Sequence, residues 1–121
     1  MIKLYRLVKE NDFINKDDIV LDAYSGTSTI GIYLSDKVKE VISVELNKSS
    51  HLNALENVKL NSVNNIKCIN EDCEKYVNNT LDNFNTVVMD PPRSGSSKSF
   101  LNAIINKKID KILKNYMEVL D

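Results

Sequence analysis

Along this chain, short apolar runs alternate with stretches whose apolar residues recur at helical spacing. The runs are Ile19-Val20-Leu21, Val41-Ile42-Ser43-Val44, Ile66-Lys67-Cys68-Ile69 and Val87-Val88-Met89. Rich in β-branched residues, they predict strands near 19–23, 41–45, 66–69 and 86–89, buried on both faces as in a parallel sheet. Between them, Ile30, Ile32, Tyr33 and Leu34 predict a helix near 29–36. Leu52, Leu55 and Val58 form the apolar stripe of a second helix, opened by Asn47 or Ser49, running to about Leu60 and ended by Asn61 and Asn64-Asn65. A short helix is expected over 73–79. Ser96 or Ser97 should cap another, with Phe100, Leu101, Ile104 and Ile105 inward. Leu4, Tyr5, Leu7 and Val8 predict a helix over 2–9, and Ile109 to Leu113 the start of a fifth strand.

Strands alternating with helices imply right-handed βαβ crossovers and an α/β fold, a parallel sheet with helices on both faces. No repeat, linker or low-complexity segment interrupts it, so residues 1–121 read as one half-sized, doubly wound domain. Each of the four runs leads into an acidic residue: Asp22, Glu45, Asp72 and Asp90. In an open parallel sheet, ligands bind beyond the carboxyl ends of the strands. A row of carboxylates there suits one shared ligand rich in hydroxyls and amines.

Composition narrows the field only by exclusion. Sixteen basic against 17 acidic residues give a formal net charge of −1, without the basic footprint of a nucleic-acid binder. Cys68 and Cys73 have no second pair, so neither a disulfide framework nor a zinc site is indicated, and both read as packing residues. The apolar runs are far shorter than the ~18 residues that span a bilayer, and no secretory signal opens the chain. A cytoplasmic setting is expected. His51 reads as a solvent-facing or capping residue, Tyr76 as a core-edge aromatic, and Asp17-Asp18 as an exposed turn with no partner cation.

The segment Asp22-Ala23-Tyr24-Ser25-Gly26-Thr27-Ser28-Thr29-Ile30-Gly31 is the expected ligand loop. Gly26, Ser28 and Gly31 hold the three positions of a G-x-G-x-x-G turn, which brings backbone N–H groups close to a ligand. Glu45 follows Gly26 at close to the ~20-residue spacing where an acidic side chain receives ribose hydroxyls. Asp22 at the strand end would repel a pyrophosphate but welcome an ammonium group. S-adenosylmethionine is therefore favoured over a dinucleotide. In Asp90-Pro91-Pro92-Arg93-Ser94-Gly95, two prolines stiffen the backbone and remove two N–H donors beside the site. Arg93 replaces the aromatic platform with which amino-group methyltransferases hold a flipped base, so methylation of a ring carbon is the better expectation.

On these residues the chain resembles the catalytic domain of the RNA uracil-C5 methyltransferases. Their pattern runs roughly L-D-x-Y-C-G-T-G-T-I-G, V-x-G-V-E, a strand-end Asp, then D-P-P-R-x-G. The matching segments here are Leu21 to Gly31, Val41 to Glu45, Asp72, and Asp90 to Gly95. The resemblance implies a Rossmann-like class I methyltransferase fold with an incomplete sheet, S-adenosylmethionine as cofactor and rRNA or tRNA as partner. It implies that Asp22, Tyr24, Ser25, Gly26, Thr29, Glu45, Asp72 and Asp90 lie about the cofactor, with Pro91 and Arg93 toward the substrate.

Departures from the pattern carry expectations of their own. The family's nucleophilic cysteine lies in a Ser-Cys-Asn-Pro segment after the fifth strand, where this chain has Lys114-Asn115-Tyr116-Met117. The resemblance therefore implies cofactor binding without turnover by this chain alone. The alternatives are a non-catalytic remnant or binding module, and another class I methyltransferase acting on nitrogen. Ser28 replaces a glycine and is expected to strain the backbone and crowd the cofactor. A sheet cut after the fourth strand would leave that strand near a raw edge, which invites self-association.

Overall fold

A computed structural model of the chain describes residues 14–89, 97–109 and 111–114. The elements are β1 (Ile19–Ala23), α1 (Thr29–Leu34), a 3-10 turn (Ser35–Lys37), β2 (Glu40–Val44), α2 (Lys48–Leu60), β3 (Ile66–Ile69), α3 (Cys73–Asn79), β4 (Thr86–Met89), α4 (Ser97–Asn106) and β5 (Lys111–Lys114). All strand pairs are parallel, in the order β3-β2-β1-β4-β5. The chain adds β2 and β3 to one side of β1, then returns to add β4 and β5 to the other. That reversal opens a crevice at the carboxyl ends of β1 and β4, where open α/β sheets bind ligands.

Alternation along each strand sends side chains to two cores. Leu21, Ala23, Ile42, Val44, Val87 and Met89 pack on one face against Cys73, Tyr76 and Val77 of α3 and Phe100, Ala103 and Ile104 of α4. Val20, Val41 and Val88 face the other way, against Leu34 of α1 with Ile14 and Val38. Each fully buried apolar side chain contributes about 1.5–3 kcal/mol. The expected α/β architecture with helices on both faces is therefore present.

Several expectations need correction. The fourth strand has no raw edge: β5 pairs with it from Thr86↔Lys111 to Met89↔Lys114, so the outer strands are β3 and β5. The stripe read on α2 is rotated. Leu52 and Leu55 are exposed while Ala54 is buried, because a small side chain lets α2 come close to the sheet. On α4, Phe100 and Ile104 are buried but Ile105 is exposed, Ala103 taking the inward position instead. The caps follow the sequence more closely. Asn47 opens α2, its side chain accepting from the Ser50 N–H at 2.9 Å, and Asp72 opens α3 by accepting from the Lys75 N–H at 2.9 Å. The helix read over 2–9 lies outside the described residues.

The opposite rim of the sheet is closed by a polar clamp. Asp18, read as exposed, is 1% accessible. Its carboxylate accepts from Lys111 Nζ at 2.6 Å, from Asn85 Nδ2 at 2.9 Å and from the Asn15 N–H at 2.9 Å. Asn85 in turn accepts the Ile19 N–H at 2.9 Å. Burial pushes the Asp18 carboxyl up, but the Lys111, Asn15 and Asn85 hydrogen bonds and the Lys111 charge outweigh it and hold the group below its ordinary 3.8. Stability from this pairing is fully present above that ordinary value and is lost as pH falls through the lower folded value. Lys111→Met should cost about 3 kcal/mol at pH 7, since it strands a buried charge. The difference from wild type should shrink once the pH drops below 3.8. Urea unfolding followed by circular dichroism at pH 7 and pH 3 measures both.

Candidate functional site

Where β1 ends, the backbone turns sharply. Tyr24, Gly26 and Ser28 all adopt left-handed conformations, with φ of 55°, 58° and 66°. Only glycine does this without strain; for Tyr24 and Ser28 the cost is roughly 1–2 kcal/mol each. Neighbouring elements hold the turn in place. The Ser25 N–H donates to the Val44 carbonyl at 3.1 Å, and the Gly26 N–H to Glu45 Oε1 at 2.7 Å. Asn57 Nδ2, from α2, donates to the Thr27 carbonyl at 3.2 Å. Three consecutive residues of the loop are thus tied to β2 and the segment that follows it.

Glu45 stands at the carboxyl end of β2 with its backbone locked to β3. Its N–H donates to the Ile69 carbonyl at 3.0 Å, and its carbonyl accepts from the Glu71 N–H at 3.2 Å and from Asn70 Nδ2 at 2.9 Å. Besides Gly26, the carboxylate binds the Asn47 N–H, through Oε2 at 2.9 Å. Asp72 lies at the start of α3, one residue from the thiol that touches the loop.

That thiol belongs to Cys73, whose role the sequence did not reveal. Its Sγ accepts the Tyr24 N–H at 3.1 Å and donates to the Val44 carbonyl at 3.4 Å. Cys73 is 2% accessible, and burial, reinforced by the charges of Asp72, Glu45 and Asp22 against the loop N–H, pushes its thiol up to about 12. It joins the ends of β1 and β2 to the start of α3. Burial also pushes up the half-buried thiol of Cys68. Tyr24 lays its ring edge-on to Phe100, centroids 5.3 Å apart, and so links the loop to α4. Desolvation, with the charges of Cys73, Asp72 and Glu74, raises its phenol to about 12.

The structure brings Tyr24, Ser25, Gly26, Glu45 and Asp72 to one rim, with Thr29 exposed at the start of α1. Asp22 sits differently. It is 4% accessible, and its Oδ2 lies 3.1 Å from where a Cβ on Gly31 would stand, as does Ser43 Oγ. Gly31 is thus what lets α1 settle over these two groups. Ser28 is wholly buried, its hydroxyl facing the Cys68 thiol. The expected strain at this position is present as a left-handed φ, but the side chain is turned inward. His51 is half-buried on α2. Asp90, Pro91 and Arg93 lie outside the described residues. Among those described, no helix is long and apolar enough to cross a membrane.

A family model described as the TRM5/TYW2 methyltransferase domain matches residues 4–120. A Mycoplasma mobile protein described as an uncharacterized RNA methyltransferase is 36% identical over 103 residues, covering 85% of this chain and 28% of its own. A Clostridium tetani protein described in the same way is 34% identical over 113 residues, covering 91% of this chain and 25% of its own. The chain thus spans about a quarter of the length of the curated relatives it matches. Among solved structures, the Pyrococcus abyssi tRNA (uracil-54, C5)-methyltransferase in complex with S-adenosyl-L-homocysteine superposes with TM-score 0.74 at 28% identity, over 93% of this chain and 27% of that one. Precorrin 8w decarboxylase of Methanobacterium thermoautotrophicum reaches TM-score 0.80 at 18% identity, over 98% of this chain and 66% of that one, a likeness of fold. The architecture is the Rossmann-like class I methyltransferase fold.

Two outcomes follow from the loop's geometry. With a thiol near 12, Cys73 should carry roughly one part in 10⁴ thiolate at pH 8. Iodoacetamide and mass spectrometry should find it unmodified in the native chain and modified in urea. Ser28→Gly relieves a left-handed residue at the loss of a weak contact with the Cys68 thiol. It should raise the unfolding free energy by about 0.5–1 kcal/mol, read as a higher urea midpoint, once glycine's greater entropy in the unfolded chain is set against the relief.

Proposed function

Because this chain belongs to the TRM5/TYW2 methyltransferase domain family, we propose that it is the S-adenosylmethionine-binding part of an RNA methyltransferase. The observation that carries this reading is the Glu45 carboxylate standing against the left-handed Tyr24–Ser28 loop, at the end of β2 and beside the sheet's switch point. Each carboxylate oxygen holds one backbone N–H and retains a lone pair. Glu45 is therefore suited to accept the two ribose hydroxyls without surrendering its own contacts. Asp72 accepts the Lys75 N–H through Oδ2, leaving Oδ1 to receive an amino group such as that of adenine.

Tyr24, Ser25, Gly26 and Thr29 line the same rim and would border the cofactor. Asp22 acts from beneath, where a buried negative charge favours the ammonium of the methionine end. When bound, S-adenosylmethionine supplies an electrophilic methyl group. Asp90, Pro91 and Arg93, following β4, are proposed to meet the methionine end and the acceptor base.

The acceptor proposed is C5 of uracil in RNA. The ordered set of matching segments supports it, as does the 28% identity to an enzyme whose name specifies tRNA uracil-54 C5. C5 is a poor nucleophile until a thiolate adds to the ring, and Lys114-Asn115-Tyr116-Met117 stands where the family carries its cysteine. Cys73, a buried thiol holding two backbone groups, does not replace it. Cofactor binding without turnover by this chain alone is the reading that results. A second reading keeps the cofactor and changes the acceptor to a nitrogen; it is favoured by the matching family model, whose description is not that of a uracil-specific enzyme.

Calorimetry should show one S-adenosylhomocysteine bound per chain; absence of binding would sink the proposal. Asp72→Asn keeps an equally good helix cap but gives up charge and an acceptor. It should weaken binding roughly fivefold, with little change in the urea midpoint. RNA containing 5-fluorouridine should form no covalent adduct, and methyl transfer to RNA by this chain alone would favour the nitrogen reading.

A further inference from the structure

The loop that would receive a ligand is strained and poorly buried. Tyr24 is 45% accessible and Ser25, Gly26 and Thr27 are half-buried, so beyond the Tyr24–Phe100 ring contact and the burial of Ser28, apolar packing does little to hold the turn left-handed. Four polar ties to the rest of the fold remain: Tyr24 N–H to Cys73 Sγ, Ser25 N–H to Val44, Gly26 N–H to Glu45, and Thr27 carbonyl to Asn57. The one to Glu45 is the shortest, 2.7 Å against 3.1 Å and 3.2 Å, and the only one made by a charged group. Charge-assisted hydrogen bonds are about twice as strong as neutral ones. The same carboxylate holds the Asn47 N–H, while its backbone is fixed to Ile69, Asn70 and Glu71.

We propose that Glu45 is a latch as well as a ligand contact: before any ligand arrives, it is the internal anion that holds the Tyr24–Ser28 loop in its left-handed form. It is a positioning residue for the loop, acting from β2 on the turn after β1. The latch stands on the ligand-free geometry; its link to the cofactor rests on the function proposed above. Losing Glu45 then has two separable consequences, a loosened loop in the free protein and a lost contact in the complex.

Amide hydrogen exchange on the ligand-free chain, read by NMR, tests this directly. Glu45→Gln keeps the shape but presents an NH2 to one of two backbone donors. Exchange at whichever of Gly26 and Asn47 faces the NH2 should accelerate roughly tenfold or more, and less at the other, while interior β1 and β2 amides keep wild-type rates. Glu45→Asp, one methylene shorter, should free Gly26 yet keep Asn47, two residues away along the chain, protected. Wild-type exchange at Gly26 in both variants would overturn the latch. So would equal acceleration throughout β1 and β2 in both, since Glu45 would then support the whole sheet rather than the loop. Weakened S-adenosylhomocysteine binding with an undisturbed Gly26 would remove the latch alone. Failure of the wild-type chain to bind, with Gly26 freed in the variants, would remove the cofactor reading alone.

Discussion

β1 is the strand on which everything else is registered. It lies between β2 and β4, hydrogen-bonded along both edges, with Val20, Leu21 and Ala23 buried on alternate faces. A strand so enclosed cannot slip by one residue without turning each core side chain to the wrong layer. Its register therefore fixes where Asp22 falls and where the chain must turn. Because the sheet grows first to one side of β1 and then to the other, that turn opens at the one place where neighbouring strands leave in opposite directions.

The site is built from the consequences. Cys73 and Tyr24 connect the turn to the layer of α3 and α4, while Gly31 lets α1 close over Asp22 and Ser43 from the other layer. Glu45 and Asn57 reach it from the β2 side. Few of these contacts are apolar. The turn is held by hydrogen bonds to groups that are themselves immobilised, which suits a loop that must present N–H groups and carboxylates in constant positions.

How much of this could be read from residue order depends on whether the cause is local. Strand positions were legible because β-branched runs bounded by Asn, Asp and Gly have few other uses, and the acids at the strand ends were visible as such. Which side of α2 packs was not: Leu52 and Leu55 outweigh Ala54 in any hydrophobic count, yet closeness to the sheet favoured the smaller residue. Asp18 was misread because its partner Lys111 stands 93 positions away. Cys73 looked like ordinary packing, since nothing in its neighbourhood along the chain announces the two backbone groups it serves. For Glu45 the residue was legible, but its grip on Gly26 was not, being a product of the fold.

The enclosure of β1 also has a bearing on how the molecule comes to exist. Its second neighbour, β4, pairs Val20 with Thr86, and the clamp at its start awaits Lys111. While a ribosome extends the chain, β1 has only β2 and β3 for company until β4 has followed. One flank of a very apolar segment thus stays unpaired between the emergence of β1 and that of β4, an interval in which chaperone protection matters more to this domain than its finished stability would suggest.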